Sequence, residues 1–174
     1  MLLGRGNEEL RVWLMLYLCT YVFLLRLPSE CLPITVGSGF GDRDVHSVAV
    51  KADCIELWLP WRKNRIEGTT LKRSCWCHSC PLTCPVHVLG KYFSELENGV
   101  QPFVDISAAQ ALETLRLLLG RVGISEPRTY GTHSLRRGHA SHMHKNGGRL
   151  CELLEAGDWR SAAFMKYLDQ ADLE

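Results

Sequence analysis

The sequence predicts a mainly helical α+β domain that contains a small antiparallel sheet of three strands. Two patterns support this fold class. Apolar residues in long runs or at helical spacing occupy the beginning and the second half of the chain, whereas alternating apolar residues are confined to a segment near residues 44–73. The chain has 174 residues, of which 46% are hydrophobic and 22% charged. This composition favours one globular domain over residues 1–174 and excludes a disordered tail, a fibre or a coiled coil.

The first predicted element is a buried helix over residues 8–27. Its centre, Val12 to Leu25, is almost entirely apolar, and Arg11 and Arg26 flank it. The run is shorter than the roughly 20 apolar residues that span a bilayer, and the sequence LLRLPSE at its end lacks the small-residue pattern of a signal-peptide cleavage site. A core helix is therefore favoured over a signal peptide or a membrane anchor. We expect Pro28 to end the helix, because proline disfavours the helical conformation of the residue before it.

Three short strands are predicted next. Valines recur over residues 45–50, and apolar residues alternate with other types over residues 55–61, which is the pattern of a half-buried strand. Pro60 favours an edge position for the second strand. A basic turn, Arg62-Lys63-Asn64-Arg65, then allows residues 69–73 to pair back as the third strand.

Helical patterns return in the second half of the chain. Ser107 and Gln110 form a capping box, followed by apolar residues on one helical face up to Gly120 or Gly123. Three more helices are predicted over residues 132–147, over residues 150–156 and from residue 161 to the end of the chain.

The overall charge does not identify a partner, because the formal net charge is only +1. The distribution is uneven, however. Residues 62–91 contain Glu67 as their only acid, residues 127–151 contain none, and both stretches carry several Lys and Arg. Two basic regions on a neutral chain fit either one face for a polyanion or a surface whose charges are balanced in space.

His133 and Arg136 form the motif with the clearest chemistry, H-x-x-R. Residues three apart share one face of a helix, so both side chains are predicted to point the same way. A guanidinium offers two parallel donors to phosphate oxygens, and an imidazole donates a hydrogen bond or transfers a proton. The pair therefore suits a phosphate, but H-x-x-R is a common pattern, and taken alone it favours a plain surface helix.

A second motif follows, in which Tyr167 stands ten residues after Gly157 and Trp159 lies between them. On its own, Tyr167 would be interpreted as a core tyrosine. Taken with H-x-x-R, however, the stretch Thr132–Leu168 resembles the C-terminal signature of tyrosine recombinases, the phage-integrase family. In that signature H-x-x-R is followed by a glycine, a His or Trp and a nucleophilic Tyr.

The upstream motifs of the family also have counterparts, and the resemblance covers about residues 8–172. The family's first arginine follows an apolar helix, as Arg26 does in LLRLPSE, and its catalytic lysine occupies a hairpin turn, as Lys63 does. Lys72 and Lys51 fit that place less well. The resemblance thus implies the catalytic core of a DNA breaking-rejoining enzyme. The Trp and Tyr of the stretch GDWRSAAFMKYL resemble those of recombinase-like sequences from eukaryotic mobile elements.

The resemblance implies a role for each matched residue. Tyr167 would attack the scissile phosphate to form a 3′-phosphotyrosyl bond, Lys63 would protonate the leaving 5′-oxygen, and no cofactor would be required. The remaining catalytic residues would be Arg26 and Arg136 on the phosphate oxygens, His133 on the phosphate or the phenol, and Trp159 packed against the site. Arg62, Arg65 and Arg137 would contact the DNA.

Some features depart from the family pattern and leave alternatives open. Asp158 follows the glycine where many members carry His, Glu30 stands four residues after Arg26 where three is commoner, and a chain of this length is expected to lack the N-terminal DNA-clasping domain. The alternatives are a catalytically decayed or truncated DNA-binding fragment, a topoisomerase IB-like relaxase, and a small zinc-binding interaction module. The expected partners are double-stranded DNA and a homotetramer assembled on it, with no membrane. The expected location is intracellular, and nuclear if the source is eukaryotic.

Residues 74–87 form a Cys/His-rich loop. Cys75, Cys77, Cys84 and His87 are candidate ligands of a structural zinc, with His78 and Cys80 as substitutes, but the C-x-C-x6-C-x2-H spacing is not that of a standard finger. Free thiols and disulfides are the alternatives. His139, His142 and His144 are expected on a polar or DNA-facing surface.

Overall fold

The structure is a computed structural model that describes residues 2–75, 77 and 81–159. Its helices are α1 (Leu2–Val22), α2 (Pro85–Ser94), α3 (Ala108–Arg121), α4 (Ser134–Lys145) and α5 (Leu150–Gly157). Its strands are β1 (Ile34–Val36), β2 (His46–Val50), β3 (Cys54–Leu59) and β4 (Thr69–Ser74). A single π turn spans Leu27–Cys31, and short 3-10 turns span Pro81–Thr83 and Pro127–Thr129. The predicted α+β class is confirmed.

The sheet differs from the prediction in one strand. Its order is β1-β2-β3-β4, with β1 parallel to β2 and the other two pairs antiparallel, so it is a mixed sheet of four strands rather than an antiparallel sheet of three. The three predicted strands are present as β2, β3 and β4. The edge position expected for the second of them is wrong, because β3 pairs with both β2 and β4 and is a central strand. Pro60 follows the last residue of β3, so it does not interrupt the pairing. The additional strand, β1, has only three residues, all buried, and is too short to show an alternating pattern.

Helix α1 supplies much of the hydrophobic core. Leu16 and Cys19 of α1 are buried, as are Phe23 and Leu25 directly after it, and the same core includes residues of the sheet and of α2, among them Leu57 and Phe93. Within the part of the chain that the structure describes, no helix has the length and apolarity needed to cross a membrane.

The end of α1 corrects the expectation that Pro28 stops this helix. The helix ends at Val22, where the N–H of Leu25 donates to the carbonyl of Thr20 (3.0 Å) and the N–H of Leu24 to that of Tyr21 (3.2 Å). This pair of hydrogen bonds is a Schellman motif, which places one residue in the left-handed conformation. Leu24 takes that place with a φ of 50°, and Pro28 lies later, within the π turn.

The helices of the second half follow the prediction closely. The capping box of Ser107 and Gln110 is present at the start of α3, and α4 and α5 lie where helices were expected. Helix α2 was not predicted, because the Cys/His-rich loop was assigned to residues up to 87. The helix predicted from residue 161 lies outside the described residues.

Candidate active site

A buried carboxylate gathers three arginines from distant parts of the chain. Glu30 is fully buried and accepts hydrogen bonds from the backbone N–H (2.8 Å) and Nη1 (2.5 Å) of Arg26. Arg62 donates to the same carboxylate from Nε (3.2 Å) and Nη2 (3.4 Å), and Nη1 of Arg136 lies 3.9 Å from Oε2. We call these four residues the Glu30 cluster. It unites Arg26 and Arg136, the two arginines that were matched to the family's phosphate-binding pair.

The π turn explains how Arg26 and Glu30 meet. Arg26 precedes the turn, and the N–H of Leu32 donates to the carbonyl of Leu27 (3.1 Å) across five residues instead of the four of an α-helix. The first hydrogen bond of the turn is of the α type, from the N–H of Glu30 to the carbonyl of Arg26 (2.9 Å). Residues four apart share one face of such a turn, so the side chains of Arg26 and Glu30 can pair.

The cluster keeps Glu30 ionised. Burial alone raises the pKa of a carboxyl group, but the charge of Arg62, the N–H of Arg26 and the charge of Arg26 outweigh burial and lower the pKa of Glu30 below its ordinary value. Three guanidinium groups surround one carboxylate, so the cluster retains a net positive charge. A positively charged cluster attracts a phosphate, and the Arg26 side chain, which is 20% exposed, is its most accessible donor.

Arg136 joins the cluster to the end of α5. Its side chain is 2% exposed, its Nη2 donates to the carbonyl of Gly157, and its guanidinium lies over the ring of Trp159, 5.0 Å from the centroid. A hydrogen bond and a cation–π contact together hold the guanidinium in one orientation. Trp159 therefore acts here as a support for Arg136.

The Gly157-Asp158-Trp159 segment has a conformational reason for its residue types. The N–H of Trp159 donates to the carbonyl of Leu154 (2.9 Å), and the N–H of Asp158 donates to the carbonyl of Glu155 (3.2 Å). These two hydrogen bonds form a second Schellman motif. Asp158 occupies its left-handed position with a φ of 53°, which aspartate tolerates better than most residues. A Cβ on Gly157 would lie 2.2 Å from the Trp159 ring, so only glycine fits beneath the indole.

Asp158 also anchors the loop that carries Lys63. Nδ2 of Asn64 donates to the Asp158 carbonyl (2.7 Å), and Nε of Arg65 lies 3.3 Å from Asp158 Oδ1. Lys63 itself is exposed in the turn between β3 and β4, as expected from its place in the sequence. The residue that departs from the family pattern thus connects the lysine loop to the segment that supports Arg136.

The three predicted DNA-contacting arginines occupy different environments. Arg62 is 3% exposed and bonded to Glu30 and to the carbonyl of Ala156 (3.5 Å), so the expectation that it contacts DNA from the surface is corrected. Arg65 is partly exposed and paired with Asp158, whereas Arg137 is exposed. The burial of Arg62 was not predictable, because the turn R-K-N-R has the composition of a solvated loop.

His133 and Tyr167 are the remaining catalytic candidates. His133 is exposed at the start of α4, one helical turn before Arg136. Tyr167 lies outside the described residues. The structure thus brings Arg26, Arg136 and Trp159 together and connects Lys63 to them through Asp158.

The Cys/His-rich loop contains a group of side chains that could bind a metal ion. One donor atom from each of Cys75, Cys77, Cys84 and His87 lies within 4.8 Å of the others. All four predicted ligands are in this group, whereas the suggested substitutes His78 and Cys80 lie outside the described residues.

His139 does not lie on a fully polar surface as expected. Its ring packs against Tyr21, with the centroids 4.7 Å apart, and it lines a cavity of about 550 Å³ together with Arg73 and His142. Burial, then the positive charges of Arg73 and His142, lower its pKa to about 4. His142 is exposed, which agrees with the prediction for that residue.

The depressed pKa of His139 predicts acid sensitivity of the fold. Between pH 6.5 and about 4 the unfolded chain binds a proton that the folded chain does not, so stability falls as the pH falls through this window. The full loss amounts to roughly 3 kcal/mol. We expect His139→Gln to flatten the dependence of the unfolding free energy on pH between 6.5 and 5, measured by urea denaturation. His142→Gln, at an exposed position on the same helix, should keep most of the slope; equal slopes in wild type and His139→Gln would contradict the prediction.

Comparison with known proteins adds no relative, because the chain matches no family model, no curated protein and no solved structure.

Proposed function

We propose that this chain is the catalytic domain of a DNA strand transferase of the tyrosine recombinase type, which cuts and rejoins DNA through Tyr167. The observation that carries the proposal is the Glu30 cluster. The sequence motifs select Arg26 and Arg136 from widely separated positions, and the fold brings both to the same buried carboxylate. A pair of surface arginines without a common role would have no reason to meet in this way.

The two arginines suit the charge that develops in phosphoryl transfer. Negative charge accumulates on the non-bridging oxygens in the transition state, and fixed donors stabilise it without reorganising. The guanidinium of Arg136 is held by Gly157 and Trp159. That of Arg26, which precedes the π turn, is held by its hydrogen bond to Glu30. Because guanidinium groups supply the positive charge, the proposed reaction needs neither a metal ion nor another cofactor.

Attack and proton transfer are assigned to the other residues that match the family's motifs. The Tyr167 oxygen attacks phosphorus, a new phosphotyrosyl bond forms to the 3′ end, and the bond to the 5′-oxygen breaks as Lys63 gives that oxygen a proton. His133, one turn before Arg136, donates to the phosphate or accepts the phenolic proton. The reverse attack by a 5′-hydroxyl rejoins the strand, so no ATP is consumed.

The proposal includes a partner and a biological task. Double-stranded DNA is the substrate, Arg65 and Arg137 position its backbone, and four copies assemble on paired sites to recombine or integrate mobile DNA. The location that follows is intracellular, and nuclear in a eukaryote.

A nicked suicide duplex tests the proposal. A pool of duplexes with randomised sequence carries a nick just downstream of the position to be cut, so that the short leaving strand diffuses away and rejoining is prevented. The wild-type chain should form a covalent protein–DNA adduct that survives denaturing electrophoresis, and Tyr167→Phe should form none, because the nucleophilic oxygen is missing.

Tyr130→Phe is the matched control, since it removes a phenolic oxygen at a partly exposed position outside the proposed site and should leave the adduct intact. Equal adduct in wild type and Tyr167→Phe, or none in either, would overturn the enzymatic proposal; DNA binding without any adduct would instead favour the decayed fragment. Relaxation of a supercoiled plasmid without strand exchange between two sites would favour the relaxase.

A further inference from the structure

The segment between β4 and α2 brings three thiols and one imidazole together at the edge of the sheet. Cys75 directly follows β4, and its N–H donates to the carbonyl of Asp53 (2.8 Å), which extends the pairing of β3 and β4 by one residue. Cys84 precedes the first turn of α2 and His87 lies in that turn, so the two share one helical face. Cys77 lies between these two anchored ends.

Three of the four donor–donor distances given below lie within about 0.2 Å of those around a tetrahedral ion, and the fourth, between Cys75 and Cys77, is shorter. Zn–S bonds of about 2.3 Å and Zn–N bonds of about 2.0 Å at tetrahedral angles place sulfurs about 3.8 Å apart and a sulfur and a nitrogen about 3.5 Å apart. Sγ of Cys75 lies 3.7 Å from that of Cys84 and 3.1 Å from that of Cys77. Nδ1 of His87 lies 3.4 Å from Sγ of Cys75 and 3.3 Å from Sγ of Cys77.

The two alternatives to a metal site, disulfides and unrelated free thiols, explain this convergence less well. Every described cysteine is a free thiol, so no disulfide joins the group. Unrelated thiols in a loop would have no reason to direct three sulfurs and a ring nitrogen at one point. The N–H of Cys77 also lies 3.3 Å from Sγ of Cys75, and such N–H donors stabilise a metal-bound thiolate.

We propose that Cys75, Cys77, Cys84 and His87 bind one Zn²⁺ ion in a closed tetrahedral site. Three thiolates and a neutral imidazole fill all four positions, which leaves none for a substrate or water, so the ion is structural. Its consequence for the fold is local. The ion joins the end of β4 to the first turn of α2, the helix that contributes Leu89 and Phe93 to the core.

The proposal is independent of the recombinase assignment and has its own test. The full chain, purified from zinc-supplemented cells, should contain one equivalent of zinc per chain by mass spectrometry of the metal. Replacement of zinc by Co²⁺ should give the visible bands and thiolate-to-metal charge transfer of tetrahedral cobalt. Removal of the ion by a chelator should lower the Tm, and added zinc should restore it.

Cys77→Ser should lose the metal and the chelator-dependent shift in Tm, whereas Cys151→Ser is the matched control at an exposed cysteine outside the group and should keep both. If Cys77→Ser fails to fold, the wild-type cobalt spectrum decides alone. A wild-type chain without stoichiometric zinc and without thiolate–cobalt bands, or a Cys77→Ser chain that binds metal as tightly as Cys151→Ser, would overturn the proposal. Tyr167→Phe should retain its zinc, so a failure of DNA cleavage would not affect this result.

Discussion

Glu30→Gln should lower the free energy of unfolding by about 3–5 kcal/mol, because removal of one partner from a buried ion pair leaves uncompensated buried charge. Arg62 is almost fully buried and would lose the carboxylate to which it donates from two nitrogens, and the buried Arg136 would lose a carboxylate 3.9 Å from its Nη1. Glutamine has nearly the volume of glutamate, so the effect reports charge rather than packing. Chemical denaturation monitored by circular dichroism measures it.

Glu95→Gln is the matched control for this substitution. Glu95 forms a salt bridge with Arg11 at the protein surface, where such pairs contribute about 0–1 kcal/mol. Equal destabilisation by Glu30→Gln and Glu95→Gln would show that the Glu30 cluster does not stabilise the fold.

The carboxylate of Glu30 also makes the free energy of unfolding depend on pH under acidic conditions. Its pKa is lowered in the folded state, so its contribution is fully present above the unfolded pKa and is lost as the pH falls through the folded value. Glu30→Gln should therefore remove part of the loss of unfolding free energy that occurs below pH 4.5. Most of the loss expected from His139 occurs at higher pH, between 6.5 and about 4.

Arg136→Ala should reduce the rate of adduct formation by about 10²–10³-fold, since loss of one charge-stabilising donor typically costs about 2.7–4 kcal/mol of barrier. The rate of adduct formation by Arg136→Lys should lie between those of the wild type and Arg136→Ala, because lysine keeps the charge but lacks the planar fork of donors. Single-turnover assays on the nicked duplex measure the rate. They should be run below the Tm of the least stable variant, because Arg136 is also part of the buried cluster.

Arg137→Ala provides the matched control at the next position along the chain. Arg137 is exposed, so its loss should weaken DNA binding and reduce its salt dependence by about one phosphate contact, with little effect on the rate at saturating DNA. A normal adduct rate for folded Arg136→Ala would remove Arg136 from the proposed site.

Periodic patterns predicted most of the longer elements but missed α2, because its first residues were included in the Cys/His-rich loop. Strands β3 and β4, the capping box of Ser107 and helix α4 lie where they were expected, because each depends on local residue types. Strand β1 was missed because three residues show no period, and the end of α1 was misplaced because Leu24 adopts a conformation that the sequence signals only through glycine or asparagine.

The composition of the candidate site was only partly predictable. The motifs identified Arg26 and Arg136. Glu30, whose buried carboxylate joins them, differed from the family pattern only in its spacing from Arg26, and its role as their shared partner was not predicted. Arg62 was assigned to the surface because nothing local distinguishes it from Arg65. Long-range pairing of charges depends on the tertiary fold, and the local pattern around Glu30 and Arg62 does not indicate that these two distant side chains will meet.

The order in which the Glu30 cluster assembles follows from its connectivity. Arg26 and Glu30 are four residues apart and can pair as soon as the π turn forms, whereas Arg62 is 32 residues from Glu30 and Arg136 is farther still. Closing longer segments costs more chain entropy and delays folding. We therefore expect the closure between Glu30 and Arg136 to be the last to form, so that the buried guanidinium of Arg136 is ordered only after the rest of the Glu30 cluster has assembled.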